Sequence, residues 1–385
     1  MTRRAARLQG LGTTIFTEMT ALAARTGAIN LGQGFPDSDG PGAAVEAAVA
    51  ALRAGHNQYA PLAGVPSLRE AVIEHQRRHY GLDPEDVQIT FGATEAIAAA
   101  LLGLCDPGDE VVVIEPRYDS YAACIAFAGA RRRAVTLRPP AFRLERDALC
   151  EAITGGAGRA RVLLVNTPHN PTGRVLDHQE LQLIADACAE HDLVCVSDEV
   201  YEHLVFEGRH IPPATLPGMD RRTLTVSSVG KSFSFTGWKI GWCSGPAELV
   251  EATRMVKQFL TFAGGTPLQH AAAAALSLAD EVLSELRDRL RSRRDELCEG
   301  LRAAGFEPLT PAGTYFVCAD AGRDATELCR ELPDRCGIVA IPVGAFCDDP
   351  QPCRTLVRFA FCKRPEVIAE AVRRLRTLRL QPHAR

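Results

Sequence analysis

Short apolar runs alternate along this chain with stretches in which apolar residues recur every three to four positions. The runs at 87–90, 110–114, 161–166, 193–197, 223–227 and 240–244 have strand length, and the stretches at 93–104, 177–191 and 247–260 have helical spacing. Alternation of this kind predicts an α/β chain with a mostly parallel sheet flanked by helices. Several chemically suggestive residues fall just past the C-terminal ends of the runs, where open α/β sheets place their ligands. A long Ala-, Leu- and Arg-rich helical stretch follows over 267–304, interrupted near Ala279-Asp280. Beyond it, short strands at 315–319, 337–342 and 356–361 and a terminal helix read as a smaller α+β domain. The first forty residues hold a short helix (15–25) and a Gly/Pro-rich passage, Leu31-Gly32-Gln33-Gly34-Phe35-Pro36-Asp37. The expected organisation is an N-terminal arm over 1–40 that is part of the small domain, a large domain over 41–275, and a C-terminal small domain over 276–385 that includes the long connecting helix.

Composition narrows the function classes. With 385 residues, 46% apolar and 23% charged, the chain can bury two sizeable cores. A net charge of −4 and a pI near 6.2 give no electrostatic footprint for nucleic acid or an acidic membrane surface. The run Arg131-Arg132-Arg133 reads as a solvated strand or turn edge. Thirteen cysteines without a C-x-x-C pair, several inside apolar runs, argue for reduced thiols in a cytoplasmic protein and against a disulfide framework or a zinc knuckle. No metal is expected. Residues 1–11 are basic but lack a following apolar segment, and no stretch approaches the length of a membrane span.

Lysine is where the sequence becomes specific. Of 43 basic residues only four are lysines, and two of them, Lys231 and Lys239, lie within Ser227-Ser228-Val229-Gly230-Lys231-Ser232-Phe233-Ser234-Phe235-Thr236-Gly237-Trp238-Lys239-Ile240-Gly241-Trp242. A guanidinium stays protonated and cannot condense with an aldehyde, whereas a desolvated lysine amine can do so. A surface lysine kept by chance is the plainer alternative.

Other segments carry polar residues at suggestive places. Gly92-Ala93-Thr94 follows one strand and opens a helix, so free backbone N–H groups and the helix dipole would meet an anion there, although an ordinary capped turn looks the same. Asp198 ends an apolar strand in Ser197-Asp198-Glu199-Val200-Tyr201, where it could equally cap the next helix. Asn170 lies in the turn-rich string Asn166-Thr167-Pro168-His169-Asn170-Pro171-Thr172-Gly173. Arg358 is a charge inside the apolar strand Leu356-Val357-Arg358-Phe359-Ala360-Phe361, a placement that demands a partner: a ligand or an internal salt bridge.

Taken together these motifs resemble the class I/II aminotransferases that use pyridoxal 5′-phosphate (PLP), over nearly the whole chain. The nearest likeness is to the branch of kynurenine and methionine aminotransferases and actinobacterial succinyldiaminopimelate aminotransferases. The resemblance implies PLP-dependent transferase fold type I, with a seven-stranded sheet, and a homodimer with active sites at the subunit interface. It implies that Lys231 holds PLP as a Schiff base and moves the proton between Cα and the cofactor. Asp198 then matches the carboxylate that pairs with the pyridine nitrogen, while Tyr201 and Asn170 match the groups that hydrogen-bond the phenolate oxygen. Ala93, Thr94, Ser228 and Lys239 match phosphate contacts; many relatives carry Arg where this chain has Lys239. Tyr118 matches the aromatic that stacks on the ring, with Tyr121 assigned to packing. Tyr59 matches a residue that reaches the neighbouring subunit's phosphate, an exposed loop tyrosine being the alternative. Arg358 matches the fork that grips the substrate carboxylate, with Gly34 and Asn170 completing that pocket.

One departure from the family is Phe262-Ala263-Gly264-Gly265-Thr266-Pro267, where kynurenine-type relatives place bulky groups. The glycines are expected to open the substrate pocket, unless they serve only to relax a turn. The expected activity is ping-pong exchange of an amino group between an L-amino acid and a 2-oxo acid. A β-lyase would share the same residues. A ligand-sensing regulator is disfavoured because only about forty residues precede the large domain, too few for a DNA-binding module.

Overall fold

The structure, a computed structural model, describes residues 5–378; residues 1–4 and 379–385, the ends of the expected arm and small domain, lie outside the described residues. The strands are β1 (Ile29–Asn30), β2 (Asp86–Thr90), β3 (Glu110–Glu115), β4 (Arg131–Thr136), β5 (Ala160–Asn166), β6 (Val194–Asp198), β7 (Thr223–Ser228), β8 (Gly241–Gly245), β9 (Glu307–Leu309), β10 (Phe316–Asp320), β11 (Ile338–Val339), β12 (Ile341–Pro342) and β13 (Leu356–Ala360).

A seven-stranded sheet runs in the order β2-β8-β7-β6-β5-β3-β4. All its pairings are parallel except those of β8, which runs against both neighbours. Because β2 and β7 are both antiparallel to β8, the C-terminal ends of β2, β3, β5, β6 and β7 share one edge of the sheet. Strand β3 is buried at every position, which is why its middle reads as an unbroken apolar run, and β7 is buried throughout although four of its six residues are Thr or Ser. At the edge strand β4 the three arginines lie exposed or half-buried, as the solvated-edge reading expects, and Arg132 pairs with Asp348.

The helix Gly92–Leu104 packs on the sheet and on the helix Ala247–Leu260. On the helix His178–Glu190, Asp177 and Glu180 form a capping box that satisfies first-turn N–H groups. The helical stretch expected over 267–304 is two helices, Thr266–Leu276 and Asp280–Ala303, with the break where the sequence places it. A four-stranded antiparallel sheet, β12-β13-β10-β9, packs on the second helix and on Pro365–Leu375. The single strand expected over 337–342 is two: β11 pairs in parallel with β1, and β12 joins β13. That pairing ties the N-terminal segment to the C-terminal part of the chain. Among the described residues no helix is long and apolar enough to cross a membrane.

Candidate active site

Strand β7 ends at Ser228, whose hydroxyl accepts the Gly230 N–H at 3.3 Å and caps the single helical turn Val229–Ser232. That turn aims Lys231 inward: its Nζ lies 3.5 Å from the Gly34 carbonyl oxygen and 5.9 Å from the Tyr315 ring centroid. Burial lowers the amine's pKa, which favours the neutral form a nucleophile needs. The two lysines outside the conspicuous segment are tied inward. Lys257 donates to Thr261 Oγ1 and the Phe262 carbonyl, each at 2.9 Å, and Lys363 donates to the Phe35 carbonyl at 2.8 Å.

Asp198 closes β6 with its carboxylate buried. Its Oδ2 accepts the Tyr121 hydroxyl at 2.6 Å and its Oδ1 faces the Val200 N–H at 3.3 Å. Burial pushes the carboxyl up to about 6, partly offset by the Tyr121 hydrogen bond and the positive charge of Lys231. Tyr121, assigned to packing from the sequence, is therefore a direct partner of the site carboxylate. A buried tyrosine hydroxyl needs such a partner, but the sequence does not say which. Asn166 was also missed. At the end of β5 it donates to the Asp198 carbonyl at 2.9 Å and accepts the Asn170 N–H at 2.8 Å, so one side chain sets the spacing of two site residues. Tyr201 is buried edge-on against Tyr315, 5.3 Å between centroids, and burial raises its pKa. Tyr118 stands edge-on to Tyr121 at 5.8 Å, and burial pushes its hydroxyl up to about 12.

Across the cavity, the helix Gly92–Leu104 starts without a side-chain cap. Gly241 packs so closely on that start that an added Cβ would sit 2.6 Å from the Gly92 carbonyl carbon. Lys239, in the left-handed conformation at φ 55°, brings Nζ to 3.3 Å from where a Gly92 Cβ would lie, and it makes no ion pair among the described residues. A cation and the positive end of a helix thus converge without an anion between them, which is the arrangement a phosphate satisfies.

Arg358, fully buried in β13, lies among the rings of Phe316 (4.0 Å), Phe346 (4.8 Å) and Phe16 (5.3 Å). It donates from Nη1 to Asn170 Oδ1 at 2.9 Å and from Nη2 to the Gly32 carbonyl at 2.8 Å, while Nε has no partner. The internal salt bridge considered from the sequence does not form among the described residues. Gly34 must be glycine, since a Cβ there would fall 2.2 Å from the Phe316 ring.

Every residue matched to a cofactor or substrate contact except Tyr59 lines one cavity of about 810 Å³, together with residues 10–16, which the sequence reading left out. Tyr59 is 81% exposed and touches Phe262 edge-on at 5.5 Å. The expectation for the glycine pair needs correction: within this chain neither Gly264 nor Gly265 lines the cavity. The space beside Gly264 is filled by the Phe91 ring, 2.1 Å from an added Cβ, and Gly265 has φ 64°. Gly264→Phe is therefore expected to lower thermal stability and to depress activity equally on short and long donors, measured as Tm and as kcat/KM for two amino acids.

The family model described as aminotransferase class I and II matches residues 26–375. The chain belongs to this family. Over 98% of its length and 98% of the relative's, it is 50% identical to a probable N-succinyldiaminopimelate aminotransferase of Mycobacterium tuberculosis. It is 40% identical to the methionine aminotransferase of Escherichia coli over 97% of each. The solved structure of N-succinyldiaminopimelate aminotransferase from Mycobacterium tuberculosis superposes with a TM-score of 0.94 at 50% identity, covering 97% of this chain and 99% of that one. The fold is that of the PLP-dependent fold type I aminotransferases, and the protein is a PLP-dependent enzyme that exchanges an amino group between an amino acid and a 2-oxo acid.

Proposed function

We propose that Lys231 is the residue whose amine would hold PLP and would move the proton at the substrate Cα. Bound PLP supplies the electron sink for the charge left at Cα. Asp198, oriented by Tyr121 and the Val200 N–H, would keep the ring nitrogen protonated. Tyr201 and Asn170 would hydrogen-bond the phenolate oxygen, and Tyr118 would cover the ring. Ser228, Lys239 and the N–H groups of Ala93 and Thr94 bind the phosphate. Arg358 forks onto the substrate α-carboxylate beside Asn170 and Gly34, fixing which Cα substituent points at Lys231.

The observation that carries this reading is Arg358: a buried, incompletely satisfied guanidinium with no carboxylate partner among the described residues, in the same cavity as Lys231. Replacing it with lysine keeps the charge but loses the fork. For Arg358→Lys we expect kcat/KM to fall by at least about 2 kcal/mol, or roughly thirtyfold, for every accepted donor. Equal kcat/KM in parent and variant would mean that the carboxylate binds elsewhere.

The division of labour follows the expected domains, with residues 41–275 holding the cofactor and 1–40 with 276–385 supplying Arg358 and the wall against it. The exposed side chains of Tyr59, Met255, Phe259, Leu260 and Phe262 form the kind of apolar surface that a second copy covers. The working form is read as a homodimer in which Tyr59 reaches the neighbouring subunit's phosphate. The free cysteines support a cytoplasmic setting.

For the substrate, the size of the cavity and its wall at residues 10–16 favour a long L-amino acid side chain, of the kind named for the N-succinyldiaminopimelate and methionine relatives. Half-reactions followed by loss of the lysine-bound cofactor's visible band test this. The rate should rise from alanine to methionine to an N-acylated diamino acid, and the opposite order removes the proposal.

A further inference from the structure

Away from the residues that line the cavity, three histidines converge. His75 and His79 are four residues apart on the helix Pro66–Tyr80 and so share one face. His203 comes from the turn after β6, five residues past Asp198 and two past Tyr201. His75 Nε2 lies 2.6 Å from His203 Nε2, and one ring nitrogen from each of the three residues lies within 4.8 Å of the others. The group is largely shielded: His75 is 1% exposed, and the Tyr80 and Phe233 rings flank it at 6.1 Å from His75 and 6.0 Å from His203.

The usual reason for a buried histidine does not hold here. Among the described residues His75 Nδ1 has no hydrogen-bond partner, and its Nε2 meets only another imidazole. A neutral imidazole keeps a lone pair on one ring nitrogen, and the close approach of the three rings directs such lone pairs at one point. Neutral imidazoles that converge from two elements are the commonest ligands of transition metals.

We propose that His75, His79 and His203 bind one divalent transition-metal ion, zinc being the best match, at a site separate from the PLP cavity. Tetrahedral zinc with Zn–N near 2.0–2.1 Å sets ligand nitrogens about 3.3 Å apart, between the 2.6 Å contact and the 4.8 Å span seen here. A set of three imidazoles without thiolate suits zinc, cobalt, nickel or copper and disfavours magnesium and calcium. Water takes the fourth position. Each neutral ring already has one unprotonated nitrogen, so binding releases no net proton; the ring that donates between His75 and His203 shifts its proton to the opposite nitrogen. Asp280, 3.8 Å from His79 Nε2, supplies nearby negative charge. Arg78, 3.1 Å from the same nitrogen, opposes it, but also donates to the Leu276 and Leu278 carbonyls and keeps those partners when the His79 ring turns to the metal. The ion would fasten the helix Pro66–Tyr80 to the turn that carries Tyr201 and follows Asp198.

The test uses the PLP-loaded enzyme, freed of metal by a chelator, dialysed and titrated with zinc against a chromogenic chelator. Wild type should bind one zinc per chain with Kd below about 10 µM. His79→Gln and His203→Asn should each weaken it at least about tenfold while keeping the cofactor's visible band, which reports an intact fold. His270→Gln, which breaks the other close histidine pair (His56 and His270, centroids 4.2 Å apart), should change nothing. Cobalt should give visible d–d bands that disappear in His79→Gln. The proposal is overturned if wild type binds no zinc in that range, if both ligand variants bind as tightly as wild type, or if binding is lost with His270→Gln.

Discussion

Lys231→Arg is expected to lower turnover by at least about 10⁴-fold while leaving PLP bound. General acid–base catalysis by one positioned side chain is worth about 10² to 10⁴, and the same substitution also removes the amine proposed to join the cofactor. The loss cannot be recovered by charge, because a guanidinium does not give up its proton at neutral pH. Retention of PLP is expected because the proposed phosphate contacts, Ser228, Lys239 and the start of the helix Gly92–Leu104, and the proposed ring contacts, Asp198, Tyr118 and Tyr201, line the cavity independently of Lys231. Dialysed protein should therefore carry near-stoichiometric cofactor with the spectrum of the free aldehyde. A variant with near-normal turnover would refute the assignment of Lys231.

Asp198→Asn is expected to lower kcat by about 10³-fold with a smaller change in cofactor content. A carboxylate and a ring cation about 4 Å apart interact by roughly 4 kcal/mol at an effective dielectric of 20, which at 1.36 kcal/mol per factor of ten sets that scale. The neutral amide keeps the shape and can still meet the Tyr121 hydroxyl, so the loss falls on the charge stabilised during reaction rather than on packing. The free protein gives a second readout. Burial holds this carboxyl up at about 6, so the folded chain keeps a proton that the unfolded chain releases near pH 4. Its stabilising contribution is complete below pH 4 and declines as pH rises through about 6. Asparagine has no such decline. The Tm of cofactor-free Asp198→Asn should thus gain on that of cofactor-free wild type between pH 4.5 and 7.5. A constant difference across that range would mean that Asp198 is ionised throughout, contrary to its burial.

The sheet and most of its site were legible because their signals are local. Strands buried on both faces leave unbroken apolar runs, and Asp198 and Ser228 sit at the last position of β6 and β7. What the sequence could not supply were contacts between distant segments. Tyr121 looks like any core tyrosine until Asp198, 77 residues away, is brought to its hydroxyl. Gly264 looks like vacated space until Phe91 is seen to fill it. The histidine cluster needs His203 beside a helix 128 residues upstream of it, and no periodicity encodes that meeting. Arg358 was read correctly as a charge in need of a partner, while its cage of three phenylalanines from separate segments was not foreseeable.

The scarcity of lysine has a practical side. Lys257 and Lys363 are buried and Lys231 is enclosed, so Lys239 is the one side-chain amine that solvent reaches freely. Among lysine side chains, coupling chemistry, which scatters over the surface of most proteins, would here converge on the cavity that Lys239 lines. Attachment at Lys239 is expected to block catalysis, whereas the free thiols at Cys150 and Cys347, both only partly covered, offer handles outside the cavity.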